Sequence, residues 1–357
     1  MATRGKSAGT GKAKTGAAKP RRRASAKKPA AKKKAVSAAK KPTAKMVGGR
    51  RFDILVCIDG SPESYRALKY AVRIGSGTDA DMTLLYVRPV DQGLRTGGLQ
   101  ISVARENLLD WGLELPGMKS LNKGRDLLVE LGYLNVDWEE EYKHTDVQGD
   151  PLGDNMVVYH SDEGRHVTLK LLVSPSVGRG ILDQCEIEEY DIVILAVSRD
   201  PSEGGLPGHV DMAVAETVAV EHRGTVLVVR ELEESHGHLV CVWNNEQSIR
   251  AARRDAEIAS RCACPVYLYS VARDEDELGE AEAAVANAEK AIEEVGIRIS
   301  GKKVDIGDPV EKIIEEGKNY SVIVMSSTSR TGLRRFFTTS PSFEVLQKAH
   351  NSVMIAR

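Results

Sequence analysis

The stretch RFDILVCIDGSPESYRALKYAVRIGSGTDADMTLLYVRP, residues 51–89, decides the fold of this chain. Its first part, Phe52–Ile58, is apolar apart from a single charge, which is the pattern of a strand buried on both faces of a parallel sheet. Ser61 is a suitable N-cap, and Pro62 a suitable first residue, for the helix that follows. Met82–Val87 is a second apolar run, so the segment predicts a strand–helix–strand unit.

A carboxylate and a glycine, Asp59 and Gly60, directly follow the first predicted strand. In open α/β sheets ligands bind at the carboxyl ends of the strands, so this turn is a candidate binding position. The same alternation of apolar strands and helices continues to residue 230 and then runs again from 238 to 356. Two passes through the same order of elements predict a tandem repeat.

Charge is divided unevenly along the 357 residues of the chain. Residues 1–51 carry 18 Lys/Arg and no Asp/Glu, whereas the remainder carries 32 Lys/Arg against 51 Asp/Glu, a formal charge of −19. This N-terminal segment, the basic tail, has almost no core-forming side chains, so we expect it to be disordered. Two roles stay open for it: salt-sensitive, sequence-indifferent binding of DNA or RNA, or folding back onto the acidic body. A sorting peptide ranks lower because the tail has no amphipathic apolar face.

The cellular compartment of the protein is predicted from features that the sequence lacks. No apolar run reaches the roughly 18 residues of a membrane span, so we expect no membrane contact and a cytoplasmic location, with the basic tail as a route to the nucleoid. The five cysteines form no CxxC pair. Cys57 and Cys241 lie in strand-like runs, where a free thiol acts as a small hydrophobe. A reducing compartment fits this usage.

Residues 135–165 have the composition of an insertion. They carry nine acidic residues against Lys143 and Arg165. Met156–His160 and His166–Val173 are predicted to pair as a hairpin about a turn at 162–164. Three histidines, at 144, 160 and 166, stand among the carboxylates, but their spacing matches no metal motif, and we expect a solvated acidic loop.

Each half of the chain resembles a universal stress protein domain. The first half carries the resemblance at ILVCIDGSPESYRALKYA and LLYVRPV, and the second half at VDIGDPVEKII and at VIVMSSTSRTGLRRFFTTSPSFEVLQKAHNSVMIAR. Together the two domains cover the chain from Phe52 to its last residue. The limits implied are a tail at 1–51, a first domain at 52–231 that holds the acidic insertion, and a second domain at 237–357.

The resemblance implies an α/β fold of two tandem Rossmann-like (HUP-type) domains. Each is expected to be an open five-stranded parallel sheet with helices on both faces. Because the connection at 232–237 is short, we expect the halves to pack as an intramolecular pseudo-dimer through their C-terminal strands, Thr225–Arg230 and Ser352–Ala356.

Nucleotide-binding members of that family carry an Asp after the first strand, a backbone adenine contact at the second strand, and a glycine pattern after the fourth. In the second half, the spacing of that glycine pattern is kept by hydroxyl residues: Ser326, Ser329, Thr339 and Ser340. Arg330, with Arg334 and Arg335, keeps this loop cationic, whereas Trp243 stands where the Asp belongs. The second half therefore has a plausible anion cradle without the carboxylate. A polar loop followed by an N-cap would give the same pattern.

The first half departs from the family pattern in the opposite way. Asp59, Gly60 and Ser61 match the adenosine side, and Val87 is the position expected to contact adenine through its backbone. On the phosphate side Ala196 and Arg199 stand where glycines belong, Gly208 follows after eight residues instead of nine, and His209 replaces the hydroxyl. Asp59 could equally be a strand-end residue that caps its own turn.

The resemblance implies a stress-responsive regulator that binds ATP or AMP, with Mg²⁺ only as a companion of the nucleotide. We expect no enzyme, or at most weak ATP hydrolysis, because the sequence shows no nucleophile–base pair, metal set or paired carboxylates. Ser61, Asp59 and His209 could be assembled into a triad, but the serine lacks a strained elbow motif. The alternative is a scaffold with empty clefts that acts through protein partners at the acidic insertion, while the basic tail contacts nucleic acid.

Overall fold

The structure is a computed structural model, and it describes residues 50–76, 80–90, 116–148, 150–197, 209–230, 237–327 and 340–357. The expectations made for the basic tail, and those for Arg199, Gly208, Ser329, Arg330 and Thr339, lie outside these residues.

The first half contains seven strands and four helices within the described residues. The strands are β1 (Phe52–Cys57), β2 (Ala80–Pro89), β3 (Glu139–Val147), β4 (Asp150–His160), β5 (His166–Ser174), β6 (Ile192–Ala196) and β7 (Thr225–Val229). The helices are α1 (Pro62–Gly75), α2 (Pro116–Glu130), α3 (Val177–Ile187) and α4 (Met212–Glu221). Helix α1 begins as predicted: the Ser61 hydroxyl accepts the Ser64 N–H, and Pro62 stands at the first helical position.

The second half repeats the alternation with five strands and four helices within the described residues. The strands are β8 (His238–Cys241), β9 (Val266–Ala272), β10 (Gly301–Ile306), β11 (Val322–Ser326) and β12 (Ser352–Ala356). The helices are α5 (Glu246–Arg261), α6 (Leu278–Glu293), α7 (Pro309–Gly317) and α8 (Pro341–Lys348).

All twelve strands form one continuous sheet, in the order β10-β9-β8-β11-β12-β7-β6-β1-β2-β5-β4-β3. Each half contributes five parallel strands, as predicted, and the α/β fold of two tandem Rossmann-like units is confirmed. The C-terminal strands β7 and β12 pair antiparallel, with Leu227 opposite Met354, so the predicted contact between halves is a strand pairing that joins the two sheets. Both strands are fully buried, which is why each needs a neighbour for its backbone groups.

Helices cover both faces of this sheet. Helices α1, α2, α5 and α6 pack on one face and α3, α4, α7 and α8 on the other. Neighbouring residues of one strand serve opposite faces: in β1, Ile54 and Val56 point to the first layer, and Leu55 and Cys57 to the second. Among the described residues no helix is both long and apolar enough to cross a membrane.

The acidic insertion extends the sheet instead of forming a loop. The predicted hairpin is confirmed, because β4 pairs antiparallel with β5, with Val158 opposite Thr168. The expectation of a solvated loop is wrong for Glu139–Val147, which forms β3 along β4. Residues 139–146 of β3 are all exposed, so the charges stay in water while β4 satisfies the backbone. Neighbouring strands outweigh the low strand propensity of Glu and Asp here.

Side chains also join the two halves at the sheet's first face and at its centre. The Tyr70 hydroxyl of α1 lies 2.6 Å from Nε2 of His238, and Arg254 of α5 pairs with Asp191 at 2.8 Å. Arg230 follows β7 and is 7% exposed; its guanidinium donates to the carbonyl oxygens of Ala349, at 2.7 Å, and Leu346. Since those carbonyls end α8, a first-half cation caps a second-half helix.

Candidate functional site

A cavity of about 490 Å³ opens at the carboxyl ends of β8 and β11. Strand order reverses between these two strands, because β9 and β10 extend the sheet to one side and β12 to the other. The crevice at such a reversal is where open α/β sheets bind ligands. The lining residues are Trp243, Asn245, Glu246, Gln247, Ser326, Ser327, Pro341 and Ser342.

Hydroxyl and amide groups of β11 and its neighbours form the polar wall of the cavity. The Ser342 hydroxyl donates to the Ser326 carbonyl at 2.7 Å, and the Gln247 amide donates to the Ser327 carbonyl. The Ser327 hydroxyl differs from these groups: the residue is 1% exposed, and its hydroxyl oxygen has no hydrogen-bond partner among the described residues. A buried polar group without a partner costs free energy unless a ligand or water satisfies it.

The loop after β8 forms the opposite wall and contributes an indole. The backbone N–H of Trp243 donates to the Ser248 hydroxyl at 2.9 Å, and the Asn245 side chain accepts the Ser248 N–H at 2.9 Å as the N-cap of α5. This local network holds the backbone of Trp243 beside the cavity that its side chain helps to line, where the family pattern has an Asp. The site therefore offers an aromatic surface in place of a carboxylate.

One predicted second-half residue lines this cavity, and a second directly precedes two of its lining residues. Ser326 lines it, and Ser340 is the N-cap of α8, accepting the Phe343 N–H at 3.3 Å, so that the first turn of α8 also lines it. Sequence reasoning missed Gln247, Ser327 and Ser342. Only their positions in the sequence could have pointed to them. Gln247 stands in the first turn of the helix after the β8 loop, and Ser327 directly follows the last residue of β11.

Asp59 of the first half is brought together with His209, as the site prediction required, but it faces its own protein. Its side chain is 1% exposed. One carboxylate oxygen accepts the Ser61 N–H at 2.9 Å and the Ser61 hydroxyl at 2.5 Å. The other lies 2.9 Å from Nδ1 of His209 and accepts the Val210 N–H at 3.1 Å. The carboxylate thus ties the β1 turn to the segment before α4.

The same geometry argues against a Ser–His–Asp triad. In a working triad the imidazole lies between the serine and the carboxylate, so that it can take the hydroxyl proton. Here Asp59 lies between Ser61 and His209, and the serine hydroxyl donates its hydrogen bond directly to the carboxylate. This order leaves the histidine without a hydrogen bond to the nucleophile.

Asp59→Ala is expected to lower the free energy of unfolding by about 2 kcal/mol, because two partly buried backbone N–H donors and a hydroxyl lose their acceptor. Urea unfolding followed by circular dichroism measures the change. Asp211→Ala, which removes the N-cap of α4 in the same segment, is the comparison and should cost about 1 kcal/mol. Equal stability of Asp59→Ala and wild type would show that the carboxylate contacts are not formed in solution.

The other predicted first-half residues that are described lie against protein. Gly60 has φ +90°, a conformation that favours glycine, and a Cβ there would lie 2.8 Å from the Ser120 hydroxyl of α2. Val87 is 3% exposed and packs against Gly180 of α3, and Ala196 is 2% exposed at the end of β6. The described side chains at the expected first-half site therefore pack against protein, on both the adenosine side and the phosphate side.

Comparison with known proteins agrees with this architecture. The family model described as Universal stress protein family matches the chain twice, over residues 51–230 and 238–357. The chain belongs to the universal stress protein family. The resemblance found in the sequence is thereby confirmed. A search of curated protein sequences finds no match to the chain.

Two solved structures superpose on most of the chain. A universal stress protein from Archaeoglobus fulgidus DSM 4304 superposes with a TM-score of 0.55 at 16% identity, covering 85% of this chain and 98% of that one. A protein of unknown function from Pseudomonas aeruginosa PAO1 superposes with a TM-score of 0.53 at 16% identity, covering 86% of this chain and 92% of that one. At this identity the likeness shows the fold.

Proposed function

We propose that this universal stress protein is a regulator that binds an adenine nucleotide, ATP or AMP, in the second-half cavity. The observation that carries the proposal is a cavity of about 490 Å³ at the strand-order reversal whose wall holds a buried hydroxyl, that of Ser327, without a partner. Small-ligand pockets commonly measure about 300–1,000 Å³ and combine apolar surface with a few polar groups.

Each part of a nucleotide finds a matching chemical group at this cavity. The Trp243 indole offers a face on which a purine can stack. The N-terminal end of α8 lies at the cavity, and its helix dipole offers a favourable partial charge for phosphate. Arg330, Arg334 and Arg335 follow Ser327 in the sequence and add positive charge, and a Mg²⁺ ion would enter only with the phosphates.

The second half is favoured over the first because Asp59 already has partners for both oxygens. A ribose hydroxyl at Asp59 would have to displace Ser61 or the His209–Val210 segment. Ser327 has no such partner to lose. We therefore assign nucleotide binding to the second half. Regulation would follow from binding itself and would not require hydrolysis of the nucleotide.

Tryptophan fluorescence provides a direct test. Protein purified without added nucleotide is denatured, and its supernatant is assayed for ATP and AMP; the refolded or nucleotide-stripped chain is then titrated with each. We expect quenching that persists in a Trp111→Phe/Trp138→Phe variant and disappears in Trp243→Phe. An absence of both released nucleotide and quenching would contradict the proposal.

Ser327→Leu is expected to weaken nucleotide binding at least tenfold, because the larger side chain fills the cavity while removing no hydrogen bond. Isothermal titration calorimetry measures the affinity. Val197→Leu is the matched control, since Val197 follows β6 at the corresponding position of the first half. If Val197→Leu weakens binding and Ser327→Leu does not, the nucleotide binds in the first half.

One observation favours a second candidate function, that of a scaffold. Strand β3 lies at an end of the sheet, and its acidic residues 139–141 are exposed beside a free backbone edge. An extended basic peptide could add to this edge through backbone hydrogen bonds. The basic tail would then be a separate contact to nucleic acid. A chain that holds no nucleotide but captures a basic peptide, and loses it on deletion of residues 139–147, would support the scaffold.

A further inference from the structure

A second cluster, of side chains that can bind a metal ion, lies at the amino end of β8. The nucleotide cavity opens at the carboxyl end of the same strand. His238 is the first residue of β8, and Cys262 and Cys264 follow the end of α5. Their donor atoms, one ring nitrogen and two sulfurs, all lie within 4.8 Å of one another. Nothing in the spacing of the sequence marks the set, because the histidine precedes the first cysteine by more than twenty residues.

The turn after α5 brings the two sulfurs together. Ala263, between the cysteines, has φ +53°, in the left-handed region, and the Cys264 N–H donates to the Ala259 carbonyl at 2.9 Å. Cys262 and Cys264 are bonded to each other in this structure, although none of the five cysteines was paired in the sequence analysis. A disulfide that closes so short a loop constrains the unfolded chain least, so stabilisation is a weak reason for it.

His238 is held by a buried carboxylate. Its Nδ1 lies 2.7 Å from one oxygen of Asp255, which is fully buried, and the second oxygen of that carboxylate has no hydrogen-bond partner within the described part of the chain. A carboxylate behind a histidine is the usual support of a metal-binding imidazole, because it fixes the tautomer and raises ligand basicity. While the Cys262–Cys264 disulfide is formed, the Tyr70 hydroxyl lies 2.6 Å from Nε2, the other ring nitrogen of His238.

Access from solvent suits a cation, and one neighbouring charge suits the thiolates. Both cysteines are partly exposed, so a reductant and an ion can reach them from solvent. The Arg73 guanidinium lies 3.9 Å from the Cys264 sulfur, where its charge favours the thiolate. A tetrahedral zinc site separates its sulfur ligands by about 3.8 Å and its nitrogen and sulfur ligands by about 3.5 Å, which the cluster can reach once the disulfide opens.

We propose that Cys262, Cys264 and His238 form a redox-gated site for one thiophilic divalent cation, Zn²⁺ or Cd²⁺. A thiol reductant delivers two electrons and two protons to the disulfide, which gives two thiols. The cation then displaces both thiol protons and binds two thiolates and the imidazole, while Asp255 holds Nδ1 and the Tyr70 hydroxyl turns away from Nε2. A small-molecule disulfide, acting by thiol–disulfide exchange, re-forms the Cys262–Cys264 disulfide, is itself reduced to two thiolates, and so releases the ion.

Cadmium titration of the full-length chain tests this site. The chain is reduced, freed of reductant under nitrogen and titrated with Cd²⁺ while the ultraviolet thiolate-to-cadmium charge-transfer band is followed. We expect saturation at one equivalent, reversal by Zn²⁺, and no band in the oxidised chain. A reduced chain without the band, or an oxidised chain with the same band, would overturn the proposal.

Point variants separate this site from other thiols and carboxylates. Cys262→Ser and Cys264→Ser are each expected to weaken Cd²⁺ binding at least tenfold, whereas Cys185→Ser, which removes a partly exposed thiol elsewhere, should leave it unchanged. His238→Gln should weaken binding while retaining the thiolate band. Near-ultraviolet circular dichroism checks that each variant is folded. Unchanged affinity in either Cys262→Ser or Cys264→Ser would assign the metal elsewhere, whatever the effect at His238.

Discussion

Arg230→Ala is expected to lower the free energy of unfolding by about 3–5 kcal/mol, the largest single effect we anticipate. The guanidinium donates to three carbonyl oxygens, those of Leu346, Ala349 and Asn351, and is 7% exposed. Hydrogen bonds from a charged donor contribute about 1.5–3 kcal/mol each, and their loss leaves buried acceptors unsatisfied. Since the residue follows β7 and the carbonyls belong to the second half, the loss acts on the junction of the two halves.

Guanidinium chloride unfolding, followed at two wavelengths, measures this effect. Arg223→Ala, an exposed arginine in the neighbouring turn, is the control and should change stability by less than about 0.5 kcal/mol. Arg230→Lys keeps the charge but loses the fork of donors, so it should fall between the two. Similar stabilities of Arg230→Ala and Arg223→Ala would contradict the assigned role.

The second large effect that we expect is a loss of folding stability in acid, and we assign it to His222. This side chain ends α4; burial lowers its pKa to about 4, and the nearby Arg357 guanidinium acts in the same direction. Its Nε2 is buried, and no described residue forms a hydrogen bond with it. The unfolded chain takes up a proton near pH 6.5, but the folded chain does so only near pH 4. Stability is therefore complete above pH 6.5 and falls as the pH is lowered to about 4.

The loss should reach up to about 3 kcal/mol, since one pKa unit corresponds to 1.36 kcal/mol. Unfolding free energies of wild type and His222→Gln, compared at pH 7 and at pH 4.5, measure it. We expect the difference between the two proteins to shrink or change sign in acid, as the variant has no buried imidazole to protonate. His144→Gln, on the exposed strand β3, controls for removal of a histidine. Parallel pH profiles of wild type and His222→Gln would refute the assignment.

Much of the fold follows from local sequence patterns. The apolar run at Phe52–Ile58, the N-cap Ser61 and the proline after it predicted β1 and α1, and the structure has both. These signals work because a buried parallel strand must be apolar on both faces, and because a helix start needs an acceptor for its free N–H groups. Repetition of the same signals predicted the tandem arrangement, and the family match confirms it.

The acidic strand β3 shows where local patterns fail. Its nine residues carry few strand-forming side chains, and only the neighbouring edge of β4 makes it a strand. The continuous sheet has the same origin: that β7 and β12 touch was predicted, but their antiparallel pairing depends on two fully buried strands that meet edge to edge.

The candidate sites show the same division between what local sequence predicts and what tertiary structure decides. By itself the sequence determined the family, the α/β class and the turn in which Asp59 and Gly60 lie, since these depend on residues close together in the chain. Tertiary structure alone decided that the second oxygen of Asp59 is bound by the His209–Val210 segment, that Ser327 lacks a partner among the described residues, and that His238 approaches Cys262 and Cys264. The physical reason is that partners for a buried polar group come from segments distant in the chain, and their arrival depends on packing that no local periodicity encodes.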